Sequence, residues 1–210
     1  MNNYDPIARY YDFLSRLFFG RSELLAQVEL LGYVRAGSRM LIVGGGTGWI
    51  LEEIAVRYPA GLRITYVESS GAMMRLARKR AVGASVVSFV ELPVEEFVAE
   101  ERYDCILTGF LFDNFSAELA RRVVGLLSPM LEARGCWLFA DFYYRRRESR
   151  FWQGLMLRVM YFSARLICRV DARELPDMDA LFAQAGFAPD RISWYYKGFI
   201  KAVAYRRVRS

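Results

Sequence analysis

The stretch Val43-Gly44-Gly45-Gly46-Thr47-Gly48 lies between a short apolar run, 40–43, and an amphipathic run, 49–56. This order of residues predicts a strand, a glycine-rich turn and a helix. Glycines let a backbone approach a ligand closely, and the first turn of a helix offers N–H groups that have no partner within the helix. The stretch therefore predicts a site for a nucleotide-like ligand.

The spacing of the glycines separates two kinds of nucleotide site. The dinucleotide fingerprint G-x-G-x-x-G needs a small third residue for close packing of the helix. Gly44 and Gly46 fit this fingerprint, but its third position holds Trp49, which argues against a nicotinamide oxidoreductase. With Gly48 the glycines read G-x-G-x-G, and this spacing resembles motif I of the class I S-adenosylmethionine-dependent methyltransferases.

Strand-like and helix-like stretches alternate after residue 38, which predicts βαβ units with right-handed crossovers. The resemblance implies an α/β fold: a Rossmann-like three-layer sandwich whose mostly parallel, seven-stranded sheet ends in an antiparallel C-terminal hairpin. Lys197-Gly198 marks the turn of that hairpin. The predicted strands are 40–43, 63–67, 85–90, 103–108, 136–142, 187–195 and 199–205, and the predicted core helices are 49–58, 72–82, 117–131 and 177–185.

A length of 210 residues, without an internal repeat or a linker, predicts a single domain, 1–210. Within it the sequence suggests an N-terminal helical cap (1–38), a cofactor-binding core (39–142), a helical lid insertion (143–175) and a C-terminal helix with the hairpin (176–210). The polar first residues do not read as a signal peptide.

The composition excludes several kinds of site. The chain contains no histidine, so a Ser-His-Asp hydrolase and a histidine-ligated metal site are ruled out, and no metal is expected. Three scattered cysteines, Cys105, Cys136 and Cys168, do not form a disulfide framework and indicate a reducing, cytoplasmic location.

The positive charge is concentrated in the last third of the chain. Residues 1–140 carry 15 basic and 16 acidic side chains, whereas residues 141–210 carry 14 basic and 7 acidic ones. An anionic substrate, a membrane surface, a nucleic acid or simple solvation of the surface would each explain this excess. Within it, 149–170 is an unusually apolar helix interrupted by Arg158 and Arg165, which predicts a lid or a peripheral membrane contact rather than a membrane span.

Further residues extend the resemblance. Glu68, at the end of the second predicted strand, is suited to accept hydrogen bonds from both ribose hydroxyls. The stretch Val67-Glu68-Ser69-Ser70-Gly71-Ala72-Met73-Met74 resembles the acidic-Ser-x-x-Met-Leu pattern of small-molecule methyltransferases, in which the methionine flanks the adenine. The resemblance therefore assigns to the cofactor Gly44, Gly45, Gly46, Thr47, Gly48, Glu68, Ser69 and Met73, with Met74 as an alternative to Met73.

Two positions depart from the family pattern. Many relatives have an aspartate where this chain has Ile42, and an acid that faces the adenine amine where this chain has Pro93. We expect Pro93 and the Val94 backbone to hold the adenine instead.

The loop after the fourth predicted strand lies where open α/β sheets bind their ligands. Thr108, Gly109 and Phe110 are expected to contact the cofactor. Asp113 is the acid best placed to orient or deprotonate a substrate, or else it caps the helix that starts near residue 116. Asp141 and Tyr143, at the end of the fifth strand, complete the candidate catalytic residues.

The N-terminal stretch Ala8-Arg9-Tyr10-Tyr11-Asp12 resembles the Ala-x-x-Tyr-Asp opening of the ubiquinone/menaquinone methyltransferase group. In that group the N-terminal helix caps the cofactor and its tyrosine lies close to it, so the resemblance assigns Tyr11 to the cofactor site. An aromatic ring beside a sulfonium gains cation–π attraction.

The sequence thus predicts a methyltransferase that uses S-adenosylmethionine to methylate an oxygen or a carbon of a small apolar or aromatic acceptor. Two alternatives stay open. The missing acids at Ile42 and Pro93 would suit a protein that binds S-adenosylmethionine without turnover. The basic last third would suit an RNA or DNA methyltransferase, although the chain has no N/D-P-P-Y-type motif after the fourth strand.

Overall fold

The computed structural model describes residue 8 and residues 17–144, 150–168 and 174–208, with the backbone alone for residues 162–168. Across these ranges the chain forms one sheet of seven strands. The strands are β1 (Arg39–Val43), β2 (Arg63–Val67), β3 (Val86–Val90), β4 (Tyr103–Gly109), β5 (Leu131–Phe142), β6 (Phe187–Tyr195) and β7 (Ile200–Arg207).

The strand order is β3-β2-β1-β4-β5-β7-β6. Strands β1 to β5 pair in parallel, whereas β7 pairs antiparallel with β5 and with β6. The predicted α/β fold, with a mostly parallel seven-stranded sheet and an antiparallel C-terminal hairpin, is confirmed. The chain crosses from β3 to β4 over β2 and β1, and the carboxyl ends of β1 and β4 therefore flank the crevice in which open α/β sheets bind ligands.

Helices cover both faces of the sheet and give it two hydrophobic cores. Side chains of β1 alternate between them, because successive residues of a strand point to opposite faces: Met40 and Ile42 join one core, Leu41 and Val43 the other. One core contains residues of α1 (Ser22–Leu30), α2 (Trp49–Arg57), α3 (Gly71–Ala77) and α5 (Phe151–Cys168), and the other contains residues of α4 (Ala117–Leu127) and α6 (Met178–Gln184).

Helix α5 contacts both the hairpin of the sheet and the loop after β4. The Trp152 ring packs against Tyr196 at the turn between β6 and β7. Further along the helix, the Tyr161 hydroxyl donates a hydrogen bond of 3.1 Å to the carbonyl of Asp113. Within the described ranges, α5 and the other helices fall short of the length and apolar character needed to cross a bilayer.

The predicted bounds were wrong at two helices. Helix α4 ends at Leu127 rather than at 131, because Pro129 lacks an N–H group and a short 3₁₀ turn, Ser128–Met130, replaces the last helical turn. The stretch Glu132-Ala133-Arg134-Gly135, predicted to end this helix, lies within β5. Helix α3 ends at Ala77, earlier than the predicted 82.

Candidate functional site

The glycine-rich stretch forms the turn between β1 and α2. Gly44, Gly46 and Gly48 have φ angles of 66°, 62° and 79°, a region that residues with a Cβ atom rarely adopt. A Cβ atom at Gly48 would also lie 2.7 Å from the Cα of Ala77, which fixes this position as glycine. At Gly46, in contrast, a Cβ atom would meet no protein atom within 4 Å. The turn therefore presents open space at Gly46 and close packing at Gly48.

Glu68 follows the last residue of β2 and reaches across to this turn. One carboxylate oxygen accepts a hydrogen bond from the Gly46 N–H at 2.9 Å, and the other accepts one from the Ser70 N–H at 2.8 Å. Burial raises the pKa of Glu68, while these backbone N–H groups act against that rise. Glu68 therefore stabilises the conformation of the turn through these hydrogen bonds, and it also faces the crevice.

A cavity of about 350 Å³ lies at the carboxyl ends of β1, β2 and β4. This volume falls in the range of roughly 300–1,000 Å³ that is typical of small-molecule sites. Most of the residues that the sequence assigned to the cofactor line it. They are Gly44, Gly45, Gly46, Thr47, Glu68, Ser69, Met73, Pro93, Val94, Gly109 and Phe110.

Two other assigned residues, Gly48 and Thr108, do not line the cavity. Gly48 serves as the N-cap of α2. Thr108 is fully buried, and its hydroxyl oxygen accepts a hydrogen bond of 3.0 Å from the Trp137 indole. Tyr11 lies outside the described residues. The role of these residues at the cofactor stays a prediction.

Helix α1 contributes two cavity residues that the sequence did not indicate, Glu23 and Gln27. A Cβ atom at Gly109 would collide with the Gln27 side-chain amide, so Gly109 allows the helix to lie against the end of β4. No motif surrounds either residue. Their four-residue spacing, which puts both side chains on one helix face, was the only available signal.

Asp141 and Asp113 lie next to the cavity, but neither lines it. The Asp141 carboxylate accepts hydrogen bonds from the backbone N–H groups of Phe112, Asp113 and Phe142, at 3.0, 3.3 and 2.8 Å. Burial raises the pKa of Asp141 to about 7. Burial and the neighbouring charges of Asp141 and Glu23 raise that of Asp113. The helix cap considered for Asp113 is Ser116 instead. The catalytic role of the two aspartates stays a prediction.

Replacement of Asp141 by alanine is expected to destabilise the fold. Three backbone N–H groups lose their acceptor, which should lower the free energy of unfolding at pH 5 by about 2–4 kcal/mol. Because the pKa of Asp141 is raised in the folded state, the protonated side chain contributes stability at low pH. This contribution is lost as the pH rises through about 7 and the side chain ionises. The gap between wild type and variant in urea denaturation should therefore narrow between pH 5 and pH 8. Replacement of the exposed Glu118 by alanine should leave the gap near zero at both pH values.

Tyr143 lines a second, smaller cavity of about 230 Å³ beyond the end of β5. The ring of Tyr143 lies edge-on to Trp194, and the Lys201 ammonium sits 5.3 Å from the Tyr143 ring centre. Lys201 is buried and forms a 2.5 Å ion pair with Asp179. The structure thus places Tyr143 in a different cavity from Glu68 and the glycine turn, and its catalytic role stays a prediction.

Comparison with known proteins matches the region that carries the site. The family profile described as a methyltransferase domain matches residues 40–135. The ubiquinone/menaquinone biosynthesis C-methyltransferase UbiE of Geotalea daltonii is 35% identical over 118 residues, which are 53% of this chain and 50% of that protein. The chain thus spans about half the length of this curated relative.

Solved structures match over almost the whole chain. The mitomycin 7-O-methyltransferase MmcR superposes with a TM-score of 0.69 at 17% identity, over 95% of this chain and 58% of that one. The calicheamicin-biosynthesis methyltransferase CalO1, solved with S-adenosylhomocysteine, gives 0.69 at 20% identity, over 96% and 57%. At these identities the likeness shows the fold. The matched profile adds that residues 40–135 resemble a methyltransferase domain.

Proposed function

We propose that the chain binds S-adenosylmethionine in the cavity beside the glycine turn and transfers its methyl group to an oxygen or a carbon of a small apolar or aromatic acceptor. The observation that carries this proposal is the position of Glu68, whose buried carboxylate faces the cavity next to the open side of Gly46. A carboxylate there can accept hydrogen bonds from two neighbouring hydroxyl groups, as a ribose presents them.

The rest of the cavity fits the other parts of this cofactor. Met73, Leu92 and Val94 give an apolar wall on the side of β3, suited to an adenine ring. The backbone of the glycine turn, which is open at Gly46, leaves room for the methionine part. Residues Ile42 and Pro93, which replace family acids, both line the cavity, so the wall is complete without those carboxylates.

Methyl transfer requires the protein mainly to position the cofactor and the acceptor. The sulfonium of the cofactor supplies the electrophile. Phe110, Phe115 and Leu119 line the side of the cavity near β4 and would keep water away from the acceptor while holding it in line. An aromatic or apolar acceptor suits such a wall.

Thermal unfolding in the presence of S-adenosylhomocysteine tests this proposal. A ligand at a hundredfold excess over its Kd stabilises the folded state by about 2.7 kcal/mol, so the melting temperature should rise by several degrees. NADH at the same concentration should leave it unchanged, because Trp49 lines the cavity where a dinucleotide site requires a small residue. A rise with NADH alone would contradict the proposal.

Assays of methyl transfer distinguish the proposed function from two alternatives. A chain that binds S-adenosylmethionine but methylates none of a panel of phenols, quinols and fatty acyl compounds would be a binding protein. Methylation of RNA or DNA, with binding that weakens steeply as salt increases, would indicate a nucleic-acid methyltransferase that uses the basic last third.

We also propose that the outer face of α5 contacts an anionic membrane surface. Phe151, Leu155 and Val159 recur every four residues and are 91%, 55% and 55% exposed. The helix contains Arg158 and Arg165 but no acidic residue, and the last third of the chain carries the positive excess. An apolar stripe flanked by cations is the composition of helices that lie in a membrane interface.

Sedimentation with vesicles tests this contact. Wild-type chain should sediment with phosphatidylglycerol vesicles and remain in solution with phosphatidylcholine vesicles. The double variant Phe151→Ser/Leu155→Ser should lose this binding, whereas Val56→Ser/Val98→Ser, which removes exposed apolar residues elsewhere, should keep it. Equal binding of both variants would contradict the contact, and concentration-dependent dimers lost in the first variant would indicate a second copy instead.

A further inference from the structure

Helix α1 turns two polar side chains towards the cavity. Glu23 and Gln27 lie one helical turn apart, so both project from the same face of the helix, and both line the cavity. They lie on the β4 side, because the Gln27 amide is packed against Gly109. The proposed adenine wall lies on the side of β3, which is separated from β4 by β2 and β1. The two side chains therefore stand at the end of the cavity away from the adenine.

The Gln27 amide lacks a partner within the described part of the chain. The residue is 8% exposed, and no backbone or side-chain group of the described residues hydrogen-bonds to its amide. The amide atoms remain accessible, because the described residues contain no fully buried side-chain nitrogen or oxygen that lacks a hydrogen-bond partner. A ligand in the cavity that offers an oxygen or a hydroxyl would give this amide a hydrogen-bond partner.

Glu23 is the acid on this part of the cavity wall. Its negative charge raises the pKa of both Asp113 and Asp141, which places the three carboxyl groups close together. Asp141 is held by backbone N–H groups, and neither aspartate lines the cavity. The other acids on the wall, Glu68 and Glu95, lie beside the glycine turn and the turn after β3. Glu23 is thus the carboxylate that an acceptor near β4 would meet.

We propose that Glu23 and Gln27 form the acceptor subsite and select an aromatic hydroxyl compound, with Glu23 as the base. This inference rests on the methyl transfer proposed above. The Glu23 carboxylate takes the proton of the hydroxyl, and the oxygen's electron pair forms the new O–CH₃ bond. The S–CH₃ bond breaks, its electron pair stays on the sulfur, and the proton on Glu23 passes to water. Gln27 donates to or accepts from a neighbouring oxygen of the acceptor, while Phe110 and Phe115 flank its ring.

Binding of 4-nitrophenol to the chain saturated with S-adenosylhomocysteine tests the subsite, since absorbance reports this probe directly. Wild type should bind it saturably. Glu23→Gln and Gln27→Leu should each weaken binding by about tenfold or more, because the first variant loses the charged acceptor of the hydroxyl and the second loses a hydrogen bond made inside the cavity. The affinity for S-adenosylhomocysteine should stay within about twofold of wild type in both variants. Glu118→Gln changes an acid at the same place in another helix, the first turn of α4, and should have no effect.

The outcomes separate this inference from the proposed function. If S-adenosylhomocysteine binds but 4-nitrophenol does not, or if both variants bind it as wild type does, the subsite is wrong and the cofactor site stands. If S-adenosylhomocysteine itself fails to bind, the proposed function is wrong. Gln27→Leu replaces an amide that makes no hydrogen bond to the described residues by an apolar side chain of similar size, so this variant should fold even if Glu23→Gln does not.

Discussion

Replacement of Gly46 by valine is expected to abolish binding of S-adenosylhomocysteine while the chain still folds. A Cβ atom at Gly46 would meet no protein atom within 4 Å, so the side chain would enter the space that we assign to the cofactor. The φ angle of 62° makes the substitution strained, at a cost of about 1–2 kcal/mol in the free energy of unfolding. Equilibrium dialysis should detect no binding, and urea denaturation should still show one cooperative transition.

Gly48→Ala provides the matched control for backbone strain in the same turn. Its φ angle is also positive, but its new Cβ atom would overlap the backbone of Ala77. We therefore expect this variant to lose more stability than Gly46→Val, and to lose affinity only to the extent that it unfolds. Equal affinity of Gly46→Val and wild type would remove the glycine turn from the cofactor site.

Replacement of Glu68 by alanine should weaken S-adenosylhomocysteine binding by about 1.5–3 kcal/mol, which is an increase of roughly 10- to 150-fold in Kd. The loss has two physical causes. The ribose hydroxyls lose their charged acceptor, and the Gly46 and Ser70 N–H groups lose the carboxylate that holds the turn in place. Calorimetric titration measures the change in Kd. Urea denaturation of the variant without ligand measures the stability lost when the turn no longer hydrogen-bonds to the carboxylate.

Glu68→Gln separates these two causes. The amide keeps the size of the side chain and one accepting oxygen, but its nitrogen cannot accept from a backbone N–H group. We expect a stability between those of wild type and Glu68→Ala, and an affinity close to that of Glu68→Ala if charge dominates. A Glu68→Gln variant with wild-type affinity would show that the carboxylate does not hold a ribose.

The fold was predictable because its signals are local. The sequence predicted β2 at 63–67, after Gly61, and β6 at 187–195, between Gly186 and Lys197-Gly198, with the bounds that the structure has. The end of α4 was missed, although Pro129 signals it, because the apolar pattern of the helix runs on into β5. This segment forms a strand because its side chains are buried on both faces of the sheet, which local propensity does not reveal.

The cofactor half of the site was predictable for a different reason. The glycine turn and Glu68 depend on backbone conformation and on a fixed separation of two strands, both of which leave a spacing in the sequence. Glu23 and Gln27 depend on where α1 docks against the sheet, and docking leaves no motif. Asp113 follows β4 and Asp141 lies at the end of β5, as expected, yet the structure turns the Asp141 carboxylate towards the backbone of the loop after β4.

Calorimetric titration of the wild-type chain with S-adenosylhomocysteine tests the central claim most directly. The account predicts saturable binding of one molecule per chain, competed by S-adenosylmethionine and unaffected by NADH. Absence of binding at millimolar ligand, from a chain that unfolds cooperatively, would contradict the assignment of the cavity beside Gly46 and Glu68 to this cofactor.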